Sequence, residues 1–120
     1  LYIQNQNVIY PIQCAKVSHI LASNRSMEVC LNNGGKYPVR YVTLQQLLEA
    51  ADVWYFLQCS RSGIINANYV RNIDYTNRVI TMCNSDQIAI GSTYVRSLHE
   101  QFPTMQELWQ RRQNRCMFFE

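Results

Sequence analysis

The chain of 120 residues is short of the residues that usually announce chemistry: two histidines, four glycines and three prolines. Its five cysteines, Cys14, Cys30, Cys59, Cys83 and Cys116, form no C-x-x-C pair, and neither His19 nor His99 has a cysteine at zinc-ligand spacing. No glycine pattern of the P-loop or dinucleotide type occurs, and Gly34-Gly35 reads as a turn. No apolar run approaches the length of a membrane span, and no signal peptide is visible. These absences argue against a metal centre, a disulfide framework, a phosphate-cradling loop and direct membrane contact. No catalytic residue, cofactor or metal is expected. Cys59, beside Ser60 and Arg61, is the one place for an activated thiol, because a neighbouring cation lowers a thiol pKa. Its position at the end of an apolar strand favours packing instead. The cysteines as a group read as small buried hydrophobes of a reducing cytoplasm. The chain begins at Leu1 rather than Met, which leaves segments upstream open.

What is present is strand-forming sequence and arginine. The length suits one domain with a modest core. The formal charge is +3, and of eleven Lys and Arg only Lys16 and Lys36 are lysines. Arginine suits planar, bidentate recognition of phosphate or guanine. Runs rich in Val, Ile, Tyr and Cys alternate with Asn, Gly, Ser and Asp clusters, which is the pattern of a mainly-β domain. Strands are expected at Leu1 to Ile3, Val8 to Ile12, Val17 to Ala22, Met27 to Leu31 and Tyr37 to Val42. Asn32-Asn33-Gly34-Gly35 between the last two is a hairpin signal, since Asn and Gly accept positive φ. Thr43 to Ala51 switches to helical spacing, with Leu44, Leu47, Leu48 and Ala51 on one face and Thr43 and Gln46 in capping-box positions.

Strand composition returns at Trp54 to Cys59, Gly63 to Ile65, Tyr69 to Ile73, Arg78 to Cys83 and Gln87 to Ile90. Ser92 is placed to cap a short helix reaching about Gln101. Thr104 and Glu107 mark a second capping box, opening a helix with Met105, Leu108 and Trp109 as its apolar positions. The expected architecture is thus antiparallel sheets with a short mid-chain helix, a domain over residues 1–102 and a C-terminal helical extension over residues 103–120.

The most informative stretch runs from Phe56 to Asp74. A polar Ser60-Arg61-Ser62 step lies between two apolar runs, followed by Asn66-Ala67-Asn68 and another strand. Two β-elements with an arginine at their junction can aim one guanidinium outward from a rigid platform. Ser23-Asn24-Arg25-Ser26 and Gly91-Ser92-Thr93-Tyr94 share that composition and also follow strands. Arginine recognises guanine or phosphate, Asn can read adenine, and Ser, Thr and backbone amides bind phosphate. Such residues are also what ordinary turns contain, so composition alone leaves both readings open. The basic tail, Arg111, Arg112 and Arg115, reads as a solvated helix face.

The order of these segments resembles the LytTR family of bacterial DNA-binding domains over residues 8 to 102. Val39 to Leu47 resembles the strand that enters the "r-x-T-L-x-x-L" helix. Phe56-Leu57-Gln58-Cys59-Ser60-Arg61-Ser62-Gly63-Ile64-Ile65-Asn66 resembles the signature F-x-R-x-H-R-S-x-I-V-N, continued by Tyr69 to Ile73. Ile88 to Tyr94 resembles the closing "l-P-V-S-R-x-Y". The resemblance implies a β-rich domain at the C-terminus of a response regulator, behind a receiver domain. It implies loops that enter successive major grooves of double-stranded DNA, with paired or tandem copies on repeated half-sites.

Carried onto this sequence, the DNA contacts are Asn24, Arg25 and Ser26 in the first loop, Ser60 and Arg61 in the second, and Ser92 and Thr93 in the last. Ile65 is assigned to the core and Asn66 to the turn. The chain departs from the family pattern at Gln58, Ser60 and Thr93, where the family often has Arg, His and a basic residue. Arg96, one helical turn beyond Thr93, is placed to compensate. The alternative implied by these departures is a LytTR-like module used for protein interaction or oligomerisation, with Trp109 and Met117-Phe118-Phe119 as its apolar surface.

Overall fold

The computed structural model describes residues 1–24 and 26–110. Arg25, the tail arginines Arg111, Arg112 and Arg115, Cys116 and Met117-Phe118-Phe119 lie outside the described residues.

Among the described residues ten strands form three antiparallel sheets. β1 (Tyr2–Asn5) and β2 (Val8–Pro11) make a separate hairpin. β3 (Val17–Ser23), β4 (Ser26–Leu31), β5 (Lys36–Arg40), β6 (Phe56–Ser60) and β7 (Gly63–Asn66) make the central sheet, in the order β5-β4-β3-β7-β6. β8 (Val70–Asp74), β9 (Val79–Met82) and β10 (Gln87–Ala89) make the third, in the order β10-β9-β8. Helix α1 (Leu44–Ala51) lies between β5 and β6, α2 (Val95–Gln101) follows β10, and residues 105–110 are again helical. Among the described residues no helix is long and apolar enough to cross a membrane.

Side chains alternate between the two faces of a strand, so a central sheet can serve two cores at once. One face carries Ile20, Met27, Val29, Phe56 and Ile64, packed with Leu44 and Leu47 of α1 and Ile3 of β1. The other carries Cys59 and Ile65, packed with Ile80, Met82, Ile88 and Ile90 from the third sheet and its exit, and with Leu98 of α2. All four residues of β7 are buried, and the neighbours Ile64 and Ile65 belong to different cores.

Local chemistry sets the element ends. Gly34, at φ 94°, and the bond from the Gly35 amide to Asn33 Oδ1 (2.8 Å) close the turn between β4 and β5. The strand expected through Val42 ends at Arg40, because Tyr41 takes a left-handed conformation (φ 65°) that turns the chain towards α1. There the Thr43 hydroxyl accepts from the Gln46 amide (3.1 Å), and the Thr43 amide donates to Gln46 Oε1 (2.9 Å), completing the capping box. Trp54, expected in a strand, lies outside it and is exposed, because β6 begins only at Phe56.

Ser92 does not cap a helix. It opens a single 3-10 turn, Ser92–Tyr94, and α2 begins at Val95 with no side-chain cap. Thr104 Oγ1 accepts from the Glu107 amide (3.1 Å), while the Glu107 carboxylate faces His99 Nδ1 at 3.8 Å. Met105, Leu108 and Trp109 are exposed. Cys30 and Cys59 are buried, Cys14 is partly so, and Cys83 is exposed, contrary to its reading as a buried hydrophobe.

Candidate nucleic-acid interface

Two hairpins meet at one end of the central sheet. Ser23 pairs with Ser26, and Asn24 takes φ 49° in the tight turn that follows Ser23. Ser60 pairs with Gly63, which leaves Arg61 and Ser62 as the second tip. β3 and β7 are neighbours, with Leu21 opposite Gly63, and the Ala22 amide donates to the Ser62 carbonyl at 2.8 Å. The tips are therefore held side by side by backbone bonds rather than by flexible side chains.

The second tip is braced from within. The Ser62 amide donates to Ser60 Oγ (3.2 Å), and Gln58 Nε2 donates to the Ser60 carbonyl (3.0 Å). A register shift between Gln58 and Ser60 makes Cys59 the extra residue of a bulge, and bulges re-aim the chain that follows them. Gly63 lets the base of the tip pack closely, since a Cβ there would stand tight against Ser60 Oγ at 3.0 Å and Cys59 Sγ at 3.2 Å.

The last loop docks on the outer side of β6. The Gly91 amide donates to the Cys59 carbonyl (2.9 Å), and a Cβ on Gly91 would stand 3.4 Å from the Ser60 Cα. Ser92 and Thr93 are exposed beside the second tip. Arg96 lies further along on α2, 93 % exposed, with its Nε 3.6 Å from Glu100 Oε1. It is thus shared with an acid one turn away rather than standing unopposed.

Asn24, Ser26 and Arg61 line one open cleft of about 650 Å³, together with Gln58 and the Tyr41 to Gln45 segment that starts α1. Among the described residues the cleft has no carboxylate and Arg61 has no ion-pair partner. Such a surface offers one cation and several neutral donors to an anionic, hydrogen-bonding partner.

Most of the site expected from sequence thus gathers at one end of the sheet. Asn24, Ser26 and Arg61 share the cleft, Ser60 forms the base of the second tip, Ser92 and Thr93 follow Gly91 where it packs on Ser60, and Arg25 lies outside the described residues. Tyr41, Thr43 and Gln45 line the same cleft without having been expected there. The strand alternation of β5 and the capping box locate them, but nothing local in the sequence says that β5 ends beside β4's start.

Burial pushes the Cys59 thiol up to about 11, so it stays protonated at neutral pH and serves as core. Ile65 is fully buried, as expected. Asn66 is buried as well as turn-forming: its Nδ2 donates to the Val17 carbonyl (2.8 Å) and its Oδ1 accepts from the Asn68 amide (2.9 Å).

The family model of the LytTr DNA-binding domain matches residues 7–103. Among solved structures, the chain is similar to the LytTr DNA-binding domain of a Bacillus cereus protein described as a methyl-accepting/DNA response regulator. The TM-score is 0.72 at 18% sequence identity, with 87% of this chain and 96% of that chain covered. No curated protein matches the chain in sequence. The central antiparallel sheet, its paired tips and the match over residues 7–103 lead to one assignment: the chain belongs to the LytTR family of DNA-binding domains.

Proposed function

We propose that the chain is the DNA-reading domain of a bacterial transcriptional regulator, and that the hairpin tips and the Ser92–Thr93 loop enter major grooves of a duplex. The observation that carries this is the acid-free cleft where Asn24, Ser26 and Arg61 converge at one end of a rigid sheet. Arg61 is the principal base or phosphate contact. Asn24, Arg25 and Ser26 read from the first tip, and Ser60, Ser92 and Thr93 supply hydrogen bonds at the other side. Arg96 adds charge only where a phosphate displaces Glu100 from it. The domain works in the cytoplasm behind a receiver domain, as a dimer or as tandem copies on repeated half-sites.

The test is a salt titration of binding to random-sequence duplexes, with wild type, Arg61→Ala and Lys16→Ala compared. Lys16 is exposed just before β3, at the end of that strand away from the tips, and carries the same charge. Arg61→Ala should weaken binding to the selected sequence by roughly tenfold to a hundredfold, the scale of one good base contact. Lys16→Ala should leave it within a factor of about two, the effect expected of a change in overall charge alone. Equal losses from the two variants, or no binding by wild type at low salt, would overturn the assignment.

A second reading has its own observation. Met105, Leu108 and Trp109 are exposed on the final helix, at 84%, 49% and 61%. Such a stripe suits a protein partner. It predicts that Trp109→Ser changes the oligomeric state in sedimentation while leaving duplex affinity unchanged. An unchanged oligomeric state removes self-association through this stripe.

A further inference from the structure

The end of the central sheet holds more than the three loops. Strand order fixes their sequence across it: the Ser92–Thr93 loop beyond β6, the Arg61 tip between β6 and β7, and the Asn24 tip between β3 and β4. One position is left at the far edge, where β5 finishes. Arg40 pairs directly with Ser26, so the end of β5 is level with the first tip. Along β5, Tyr37 and Val39 pack inward, while Lys36, Pro38 and Arg40 are exposed.

Three observations converge on this edge. Tyr41 is 93 % exposed and held in a left-handed conformation, a backbone state that aromatic residues rarely occupy. It lines the Arg61 cleft and also a second cleft, of about 550 Å³, formed with Gln4, Gln6, Pro38 and Arg40. Among the described residues that second cleft again has no carboxylate, and Arg40 has no ion-pair partner. An unpaired guanidinium, two amides and an aromatic ring, continuous with an acid-free cleft, form a surface complementary to a sugar-phosphate backbone.

We propose that Arg40 and Tyr41 form a fourth DNA contact, in which Arg40 takes a backbone phosphate and Tyr41 packs against the adjoining sugar. This rests on the DNA-binding function proposed above and extends it to the opposite edge of the sheet. The Arg61 tip joins β6 and β7, so the end of β5 lies about three and a half strand spacings from it, roughly 17 Å. That exceeds the width of one major groove, so the β5 edge meets backbone flanking the groove read by Arg61. The contact positions the domain on DNA and carries no base preference.

The experiment uses the whole chain and a pool of random-sequence duplexes about three helical turns long. Wild type, Arg40→Gln, Tyr41→Gly and Lys36→Gln are compared for affinity, salt dependence, selected sequence and hydroxyl-radical protection. Lys36 is the control, because it carries the same charge at the opposite end of β5. Arg40→Gln should lower the slope of log affinity against log salt by about 0.9, weaken binding roughly tenfold near 0.1 M salt, and leave the selected sequence unchanged.

Tyr41→Gly should remove protection at one end of the footprint while thermal stability holds or rises, since glycine accepts the left-handed backbone. Lys36→Gln should change neither. Wild-type binding with an unchanged slope for Arg40→Gln, or an equal slope change for Lys36→Gln, overturns the fourth contact alone. Protection unchanged in Tyr41→Gly removes the tyrosine from it. Absence of wild-type binding overturns the DNA-binding reading itself.

Discussion

Asn66 satisfies the Val17 carbonyl across the sheet and the Asn68 amide along its own chain, from a fully buried position. Asn66→Ala leaves a buried carbonyl without a donor and should destabilise the fold by about 2–3 kcal/mol in urea unfolding. Asn66→Asp removes the donor and adds a buried charge, so it should be worse than Ala. A milder Asp variant would mean that water reaches the site. The signature match singles out this Asn from Asn68 and Asn72, but nothing at the residue scale says that its side chain crosses to Val17. A turn residue and a cross-sheet strut are the same letter until β3 is placed beside β7. Gln58 shows the same limit. Where the family often carries Arg, its amide here donates to the Ser60 carbonyl. The substitution therefore exchanges a cation at the site for a brace on the tip.

The elements were legible where their signals are local. The capping box at Thr43 and Gln46 forms as its spacing demands, and Thr43→Ala should cost about 1 kcal/mol, read as a drop in thermal midpoint. The Asn33-Gly34 turn likewise follows from backbone preference. Ends decided by tertiary contacts were not legible. β5 stops two residues before its strand-like composition does, because Tyr41 must turn back towards α1. Ser92 stands before helical sequence but faces β6 across Gly91, so its hydroxyl caps nothing. Gly63 belongs to this scale too. Gly63→Ala would crowd Ser60 Oγ and Cys59 Sγ and tilt the Arg61 tip. Duplex affinity should fall even where circular dichroism still shows a folded sheet. A variant with wild-type affinity would show that the tip tolerates the shift.

Across the whole molecule, His19 joins the central sheet to the turn between β9 and β10. Its Nε2 lies 3.7 Å from Asp86 Oδ2, and its Nδ1 lies 3.1 Å from Ser18 Oγ. Burial lowers its pKa below the ordinary value of 6.5, and the carboxylate of Asp86 only partly offsets this. The unfolded chain therefore binds a proton that the folded chain refuses. Stability from this group is fully present above the unfolded value of 6.5 and is lost as pH falls through the window below it, down to the folded value. His19→Gln should flatten that loss when unfolding is compared at about pH 7.5 and about pH 5.5. Equal pH dependence in the variant would exclude His19 as its source. The division into β-rich sheets with a few short helices could be read from composition and period. That two separate cores share one sheet could not, because alternation shows only that both faces are used, not what covers each.

β7 is the strand on which both cores depend, and it continues directly into the Arg61 tip. Its amides should therefore exchange with solvent only through global opening, and the tip hangs from the slowest-exchanging part of the chain. In the DNA-contacting role proposed above, a tip so anchored has little conformational freedom to surrender when it meets a duplex. The entropy penalty of association would then fall mainly on side chains and on the DNA, and not on any refolding of the protein.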